Sequence, residues 1–119
     1  MSRRALAILA LAIAAACSEQ PYWTKTHEPI KVTGIYEMRE LAHCQRPGEQ
    51  AWGCLVHDYK VGIVYVVNWL TPEQRECVIA HEIEGHAAGF SHPTGPHFSP
   101  VIGAEFMDCG PNRPKLRIR

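Results

Sequence analysis

The run His81-Glu82-Ile83-Glu84-Gly85-His86-Ala87-Ala88-Gly89-Phe90-Ser91-His92 decides how this chain is read. It sets three histidines, a glutamate and a glycine where a hydrolytic zinc site needs them. Neutral imidazole is a common ligand of Zn²⁺, and a catalytic zinc keeps three protein ligands and leaves its fourth position to water. The metal lowers the pKa of that water towards neutrality, and a neighbouring carboxylate takes its proton as it attacks a carbonyl. His81, His86 and His92 are therefore read as zinc ligands and Glu82 as the general base. The spacing is unusual. His81 and His86 lie five apart, roughly 140° around a regular α-helix of about 3.6 residues per turn, and would point away from a common ion. A single-residue π-bulge absorbs such an insertion, and bulges of this kind are frequent at functional sites. A second register stays open: Glu82 and His86 lie four apart, so a straight helix offers Glu82, His86 and His92 and leaves His81 outside. Ile83 would then stand at the base position, where it accepts no proton, unless Glu84 swings in. A third reading has the histidines decorate a helix without metal. Against it, four of the seven, at 81, 86, 92 and 97, fall within seventeen residues.

The stretch Ala80 to Pro93 resembles the zinc signature of the matrixin-type metzincins, HExxHxxGxxH, with one residue inserted. His81 to His86, Gly85 included, is also similar to the HExxGH zinc helix of dipeptidyl peptidase III. That enzyme takes its third ligand from a glutamate on a later helix, whereas His92 here follows the metzincin pattern. The resemblance covers the helix, its turn and a short stretch beyond. It implies peptide-bond hydrolysis, and a strand before the helix that borders the cleft and lends its backbone to an extended substrate. Gly103-Ala-Glu-Phe-Met107-Asp108 resembles the turn under the metal from which metzincins take their name, with Met107 as its methionine; Met107 as simple core fits as well. The tyrosine frequent after that methionine is absent. Only twelve residues follow Met107, too few for the usual C-terminal subdomain, so no specificity pocket is implied.

The chain opens with a basic Met1-Ser-Arg-Arg4 and an unbroken apolar run from Ala5 to Ala16. That run is too short for a permanent span of about 20 residues and ends in small residues, as a cleaved secretory signal does. Ala14-Ala-Ala-Cys17 resembles the lipobox of bacterial lipoproteins, which makes Cys17 an acylated N-terminus and membrane anchor; ordinary cleavage at Ala-x-Ala is the competing reading. Residues 1–16 are thus expected to be signal peptide, 17–29 a lipidated tether with Tyr22 and Trp23 packing back, and 30–119 one small domain. Removing residues 1–16 takes away Arg3 and Arg4 and changes the balance from 12 basic against 12 acidic residues to 10 against 12. A net charge of −2 gives nucleic acid no footing. The tail with Arg113, Lys115, Arg117 and Arg119 suits anionic head groups or a solvated end.

Cys44, Cys54, Cys77 and Cys109 then remain, an even number in a small exported domain, and are read as two disulfides. Four cysteines permit three pairings, and the sequence leaves them open. The pairing carried forward is Cys44 with Cys54 and Cys77 with Cys109. A cysteine-rich zinc site is the rival, and the lack of a close Cys-x-x-Cys pair weighs against it.

Short strands are expected at Ile30–Gly34 and Trp52–His57, a turn at Pro47-Gly48, and the strongest strand at Lys60–Leu70, bordering the cleft or buried in the core. Tyr36–His43 fits a helical turn or a strand equally. Thr71-Pro-Glu-Gln74 caps a helix that should run from Pro72 to about Ala88, Gly89 ending it in a left-handed conformation that turns His92 back towards the metal. His43 and His57 are read as surface or structural residues. Tyr65 and His97 are the only candidates for a second electrophile. The whole predicts an α+β fold, a short β-sheet packed on one long zinc-binding helix, metzincin-like and stapled by disulfides. Its expected function is that of an exported zinc metallopeptidase acting on peptide or protein substrates. The alternative is a non-catalytic zinc-binding envelope lipoprotein with a structural or interaction role.

Overall fold

The computed structural model describes residues 21–45, 47–48, 50–93 and 106–118. The signal segment, Cys17 and His97 lie outside these residues. The described chain is α+β, with short sheets and one helical segment.

Three strands form the main sheet: β2 (Lys31–Met38), β3 (Gly53–Asp58) and β4 (Val61–Val67). Their spatial order is β2-β4-β3, with β2 parallel and β3 antiparallel to β4. The β-branched run of β4 alternates as a half-buried strand should: Gly62, Val64 and Val66 face the core, and Ile63 and Tyr65 lie half-buried on the other side. Because β4 is central, its backbone is paired on both sides and cannot lend itself to an extended substrate as the family resemblance implied; the core-strand reading fits, and β3 is an edge of the sheet. The short strand expected at Ile30–Gly34 continues through the ambiguous segment to Met38, so part of Tyr36–His43 is strand and the remainder turns. β2 also carries an irregularity of register between Val32 and Gly34.

After a turn, Thr71 caps α1 (Pro72–Ala80) through a complete capping box. Its hydroxyl accepts from the Gln74 backbone at 3.2 Å, and the Gln74 side chain accepts from the Thr71 N–H at 3.1 Å. Val78 and Cys77 carry α1 onto the sheet, meeting Leu41, Ala51, Trp52, Val66, Val67, Met107 and Cys109 in one core cluster. Gly53 is required at that contact, because any side chain there would run into Val78. The helix does not continue in α form to Ala88 as the capping pattern suggested. From His81 to His86 it becomes a π-helix, marked by the Ala87 N–H bond to the Glu82 carbonyl at 2.7 Å. Gly89 then reverses the chain at φ 105°, a conformation other residues resist. The reversal starts β5 (Phe90–Ser91), which pairs antiparallel with β1 (Thr24–Lys25). β6 (Phe106–Met107) and β7 (Leu116–Arg117) form a second two-stranded ribbon.

Both pairings carried forward from the sequence occur: Cys44–Cys54 and Cys77–Cys109. The first joins the loop after β2 to β3, and the second joins α1 to the segment after β6. The basic tail is partly tied down. Arg113 donates to both carboxylate oxygens of Glu84, at 3.1 and 2.6 Å, and to Glu76 at 3.4 Å, while the Arg117 guanidinium sits 5.9 Å from the Phe106 ring centroid.

Candidate metal centre

The π-turn answers the five-residue spacing. Bonds from i to i+5 bring residues five apart nearly into line, so His81 and His86 leave the helix on one side. Gly89 and β5 return His92 to the same place. The three imidazoles offer ligand atoms that all lie within 4.8 Å of one another, with His81 buried and the other two half-buried. The Nε2 atoms of His81 and His92 stand 3.3 Å apart. Two imidazole nitrogens on one tetrahedral ion at about 2.0–2.1 Å are themselves about 3.3 Å apart, so this pair needs little movement to bind.

Backbone carbonyls fix the tautomers. His81 Nδ1–H donates to the Asp108 carbonyl at 2.8 Å, His86 Nδ1–H to that of Phe90 at 3.2 Å, and His92 Nδ1–H to that of Pro93 at 2.9 Å. A carbonyl only accepts, so each proton sits on Nδ1 and each Nε2 keeps its lone pair, the arrangement that orients histidine ligands in metal proteins. The donor set therefore fits a divalent cation. Tyr22 stacks on His92, ring centroids 5.2 Å apart, with its hydroxyl 3.3 Å from His92 Nδ1.

Glu82 and Gly85 occupy opposite flanks of the histidine pair. At roughly 80° per residue in an i to i+5 helix, Glu82 falls to one side of the His81–His86 direction and Gly85 to the other. On the Glu82 side lies Gly53 of β3, whose Cα carries no side chain to crowd the Glu82 stem. On the other side lies Trp23. A methyl group on Gly85 would come within 2.7–2.8 Å of the indole, which explains why the turn carries glycine there. The indole centroid lies 4.9, 5.1 and 4.7 Å from those of His81, His86 and His92, and the imidazole centroids are 4.9–5.2 Å from one another. The four rings thus form a near-regular tetrahedron. Trp23 Nε1–H in turn donates to both Asp108 carboxylate oxygens, at 3.2 and 3.1 Å. Asp108 holds His81 through its carbonyl and Trp23 through its side chain.

Glu82 is 1 % exposed, and among the described residues its Oε1 has no hydrogen-bond partner. Burial alone pushes its carboxyl up to about 8, because desolvation disfavours the charged form. A cation among the histidines opposes that shift by stabilising the carboxylate. Glu82 and His86 both line a cleft of about 610 Å³ that runs along β3, with Leu55, Val56 and His57 on its wall and His43 and His27 at its rim.

The structure brings His81, His86 and His92 together, with Glu82 beside them. Glu84 points elsewhere, held by Arg113, and so does not serve as a substitute base. Met107 is buried in the core cluster and paired with Leu116; among the described residues the ring in contact with all three imidazoles is Trp23. Tyr65 packs against His43 at 4.8 Å rather than on the triad. His43 and His57, read from sequence as surface or structural, are exposed as expected but share the cleft with Glu82. Sequence reasoning expected Trp23 to pack back without saying on what, and it missed Asp108 altogether. No spacing rule links residues that far from the histidines.

No protein-family model, no curated protein and no solved structure matches this chain. Fold and site together define a small disulfide-stapled α+β domain whose three-histidine cluster can hold a metal ion.

Trp23→Ala tests the ring cluster. With the indole gone, His81 loses its packed neighbour and Asp108 loses a donor, so metal affinity should fall about 10–100-fold, the usual effect of outer-shell losses. Trp23→Phe keeps most of the ring contact and should fall in between. Competition with a chromophoric chelator measures both; unchanged affinity in Trp23→Ala would show that the indole only fills space.

Proposed function

We propose that this chain is an exported zinc metallopeptidase, with His81, His86 and His92 holding zinc and Glu82 acting as general base. One observation carries the reading: Glu82, buried next to the triad, opens with His86 onto the cleft along β3. Bound zinc would supply Lewis-acid activation of water and of a scissile carbonyl. Glu82 takes the proton of the attacking water and returns it to the leaving amine. Burial suits it to both halves of that cycle, since a carboxylate that holds its proton more tightly than usual is a better base. The Nδ1–carbonyl bonds keep the imidazoles aimed, and Trp23 closes the flank opposite the cleft against water. β3, the edge of its sheet, can add an extended peptide by ladder hydrogen bonds. The two disulfides suit an oxidising compartment, and the signal-like N-terminus with Cys17 supplies export and a lipid anchor.

The non-catalytic reading has an observation of its own. The indole packs against all three imidazoles as a fourth ring, a packing that befits a structural ion. Glu82→Gln separates the two. For a peptidase, the variant keeps one zinc per chain while hydrolysis of a quenched fluorescent peptide library falls about 10²–10⁴-fold. Wild-type protein that cleaves neither that library nor cell-wall stem peptides would leave the structural role. The same variant has a second readout. In metal-free protein the raised Glu82 pKa means that the unfolded chain, ionising in the usual carboxylate range, gives up its proton first. Stability should fall as pH rises from about 4.5 towards about 8, and Glu82→Gln should remove that slope from a series of melting temperatures.

A further inference from the structure

We propose that Cys44, Cys54 and His43 form a second metal site, latent while the two cysteines are joined and open to a thiophilic divalent cation once they are reduced. The ligand atoms of these three residues lie within 4.8 Å of one another. Ligands of a tetrahedral zinc stand roughly 3.3–3.8 Å apart, so the site is assembled by the two sulfurs separating once their bond is cut and by a small adjustment of the imidazole.

The backbone holds the three in place without help from the disulfide. Cys44 sits in a turn whose N–H donates to the Leu41 carbonyl at 2.9 Å, and Leu41 is wholly buried in the core. Cys54 is fixed by its antiparallel pairing with Tyr65 of β4. The His43 ring packs edge-on against that same Tyr65, centroids 4.8 Å apart. His43 and Cys54 therefore meet at Tyr65, with Cys44 held beside them by its turn, and none of these backbone contacts depends on the sulfur–sulfur bond. Two thiolates and an imidazole are a soft donor set that selects zinc-like ions over magnesium or calcium, with a fourth position left to solvent. His43 and both cysteines line the same cleft as Glu82 and His86, so an ion there would sit on the wall of the proposed substrate channel.

The chemistry balances with a dithiol as two-electron reductant, or with a phosphine that ends as its oxide with oxygen taken from water. Exchange transfers the disulfide to the dithiol and leaves Cys44 and Cys54 as thiols, and metal binding then releases their two protons. Access favours this pair. Cys44 and Cys54 are half-buried, whereas Cys77 and Cys109 are 3 % and 6 % exposed and should resist a mild reductant.

Cobalt(II) tests the site on the full chain, treated with a water-soluble phosphine until alkylation mass mapping shows only Cys44 and Cys54 reduced. The reduced chain should take up one more cobalt than the oxidised chain and show an intense sulfur-to-cobalt charge-transfer absorption. His43→Ala should weaken that uptake by more than the roughly 10–100-fold of an outer-shell loss. Absence of the band, its persistence in Cys44→Ala/Cys54→Ala, or unchanged affinity in His43→Ala would overturn the proposal. The histidine triad contains no thiolate, and the Cys44→Ala/Cys54→Ala variant retains Cys17 as the control for its sulfur, so the band reads this site alone, whatever becomes of the peptidase reading.

Discussion

His81→Ala should abolish binding of the ion held by the histidine triad, lowering affinity for zinc by well over 100-fold, more than the roughly 10–100-fold of an outer-shell loss. The reasoning is geometric. Only a π-turn makes His81 and His86 neighbours, and the His81 Nε2 lies 3.3 Å from that of His92. Without His81 two imidazoles remain. Among the described residues Glu82 is the nearby group able to replace it, as the straight-helix register would have it do. Its side chain leaves the turn on the flank of Gly53 and the β3 cleft, however, and recruiting it would require rewinding the turn to α form. Rewinding would break the Ala87 to Glu82 bond and shift Gly89, whose carbonyl accepts from Thr26 and His27 at 2.9 and 3.2 Å. Metal content after gel filtration, with calorimetric titration of zinc, measures the effect. Zinc kept at one equivalent without His81 would mean that the Glu82-His86-His92 register binds after all.

Joint replacement of Cys77 and Cys109 by alanine should have the largest effect on stability. The crosslink spans 32 residues, and closing a loop of that size removes about 3–4 kcal/mol of unfolded-state entropy at room temperature. For a domain of about 100 residues that corresponds to a melting-temperature loss of roughly 15–30 °C. Both sulfurs lie inside the core cluster with Val78 and Met107, so alanine also leaves a small cavity. Function should suffer with it. Cys109 follows directly on Asp108, whose carbonyl holds His81 and whose carboxylate holds Trp23; freeing that segment should lower metal affinity at least tenfold, as other outer-shell losses do. Melts in chelator isolate the stability term, because they remove the linkage between metal and folding. A melting temperature within a few degrees of wild type would mean that the core alone holds α1 to the C-terminal segment.

The sequence by itself determined most of what is local. The helix start could be read at Thr71-Pro-Glu-Gln74 because a capping box is a matter of adjacent residues. The reversal could be read at Gly89 because only glycine takes that conformation cheaply. The histidine cluster was legible for the same reason: its three ligands lie within twelve residues, and the misfit of a five-residue spacing itself pointed to a π-bulge. What the sequence could not decide was which of two helical registers wins. That depends on Trp23 filling the space beside Gly85 and on Asp108, 27 residues from His81, accepting its proton. Tertiary structure also placed β4 at the centre of its sheet and β3 at the edge, since strand order depends on which faces find partners. And it set Tyr65 beside both His43 and Cys54, which places the imidazole next to a cysteine pair that the sequence had already suggested, a placement made by sheet pairing.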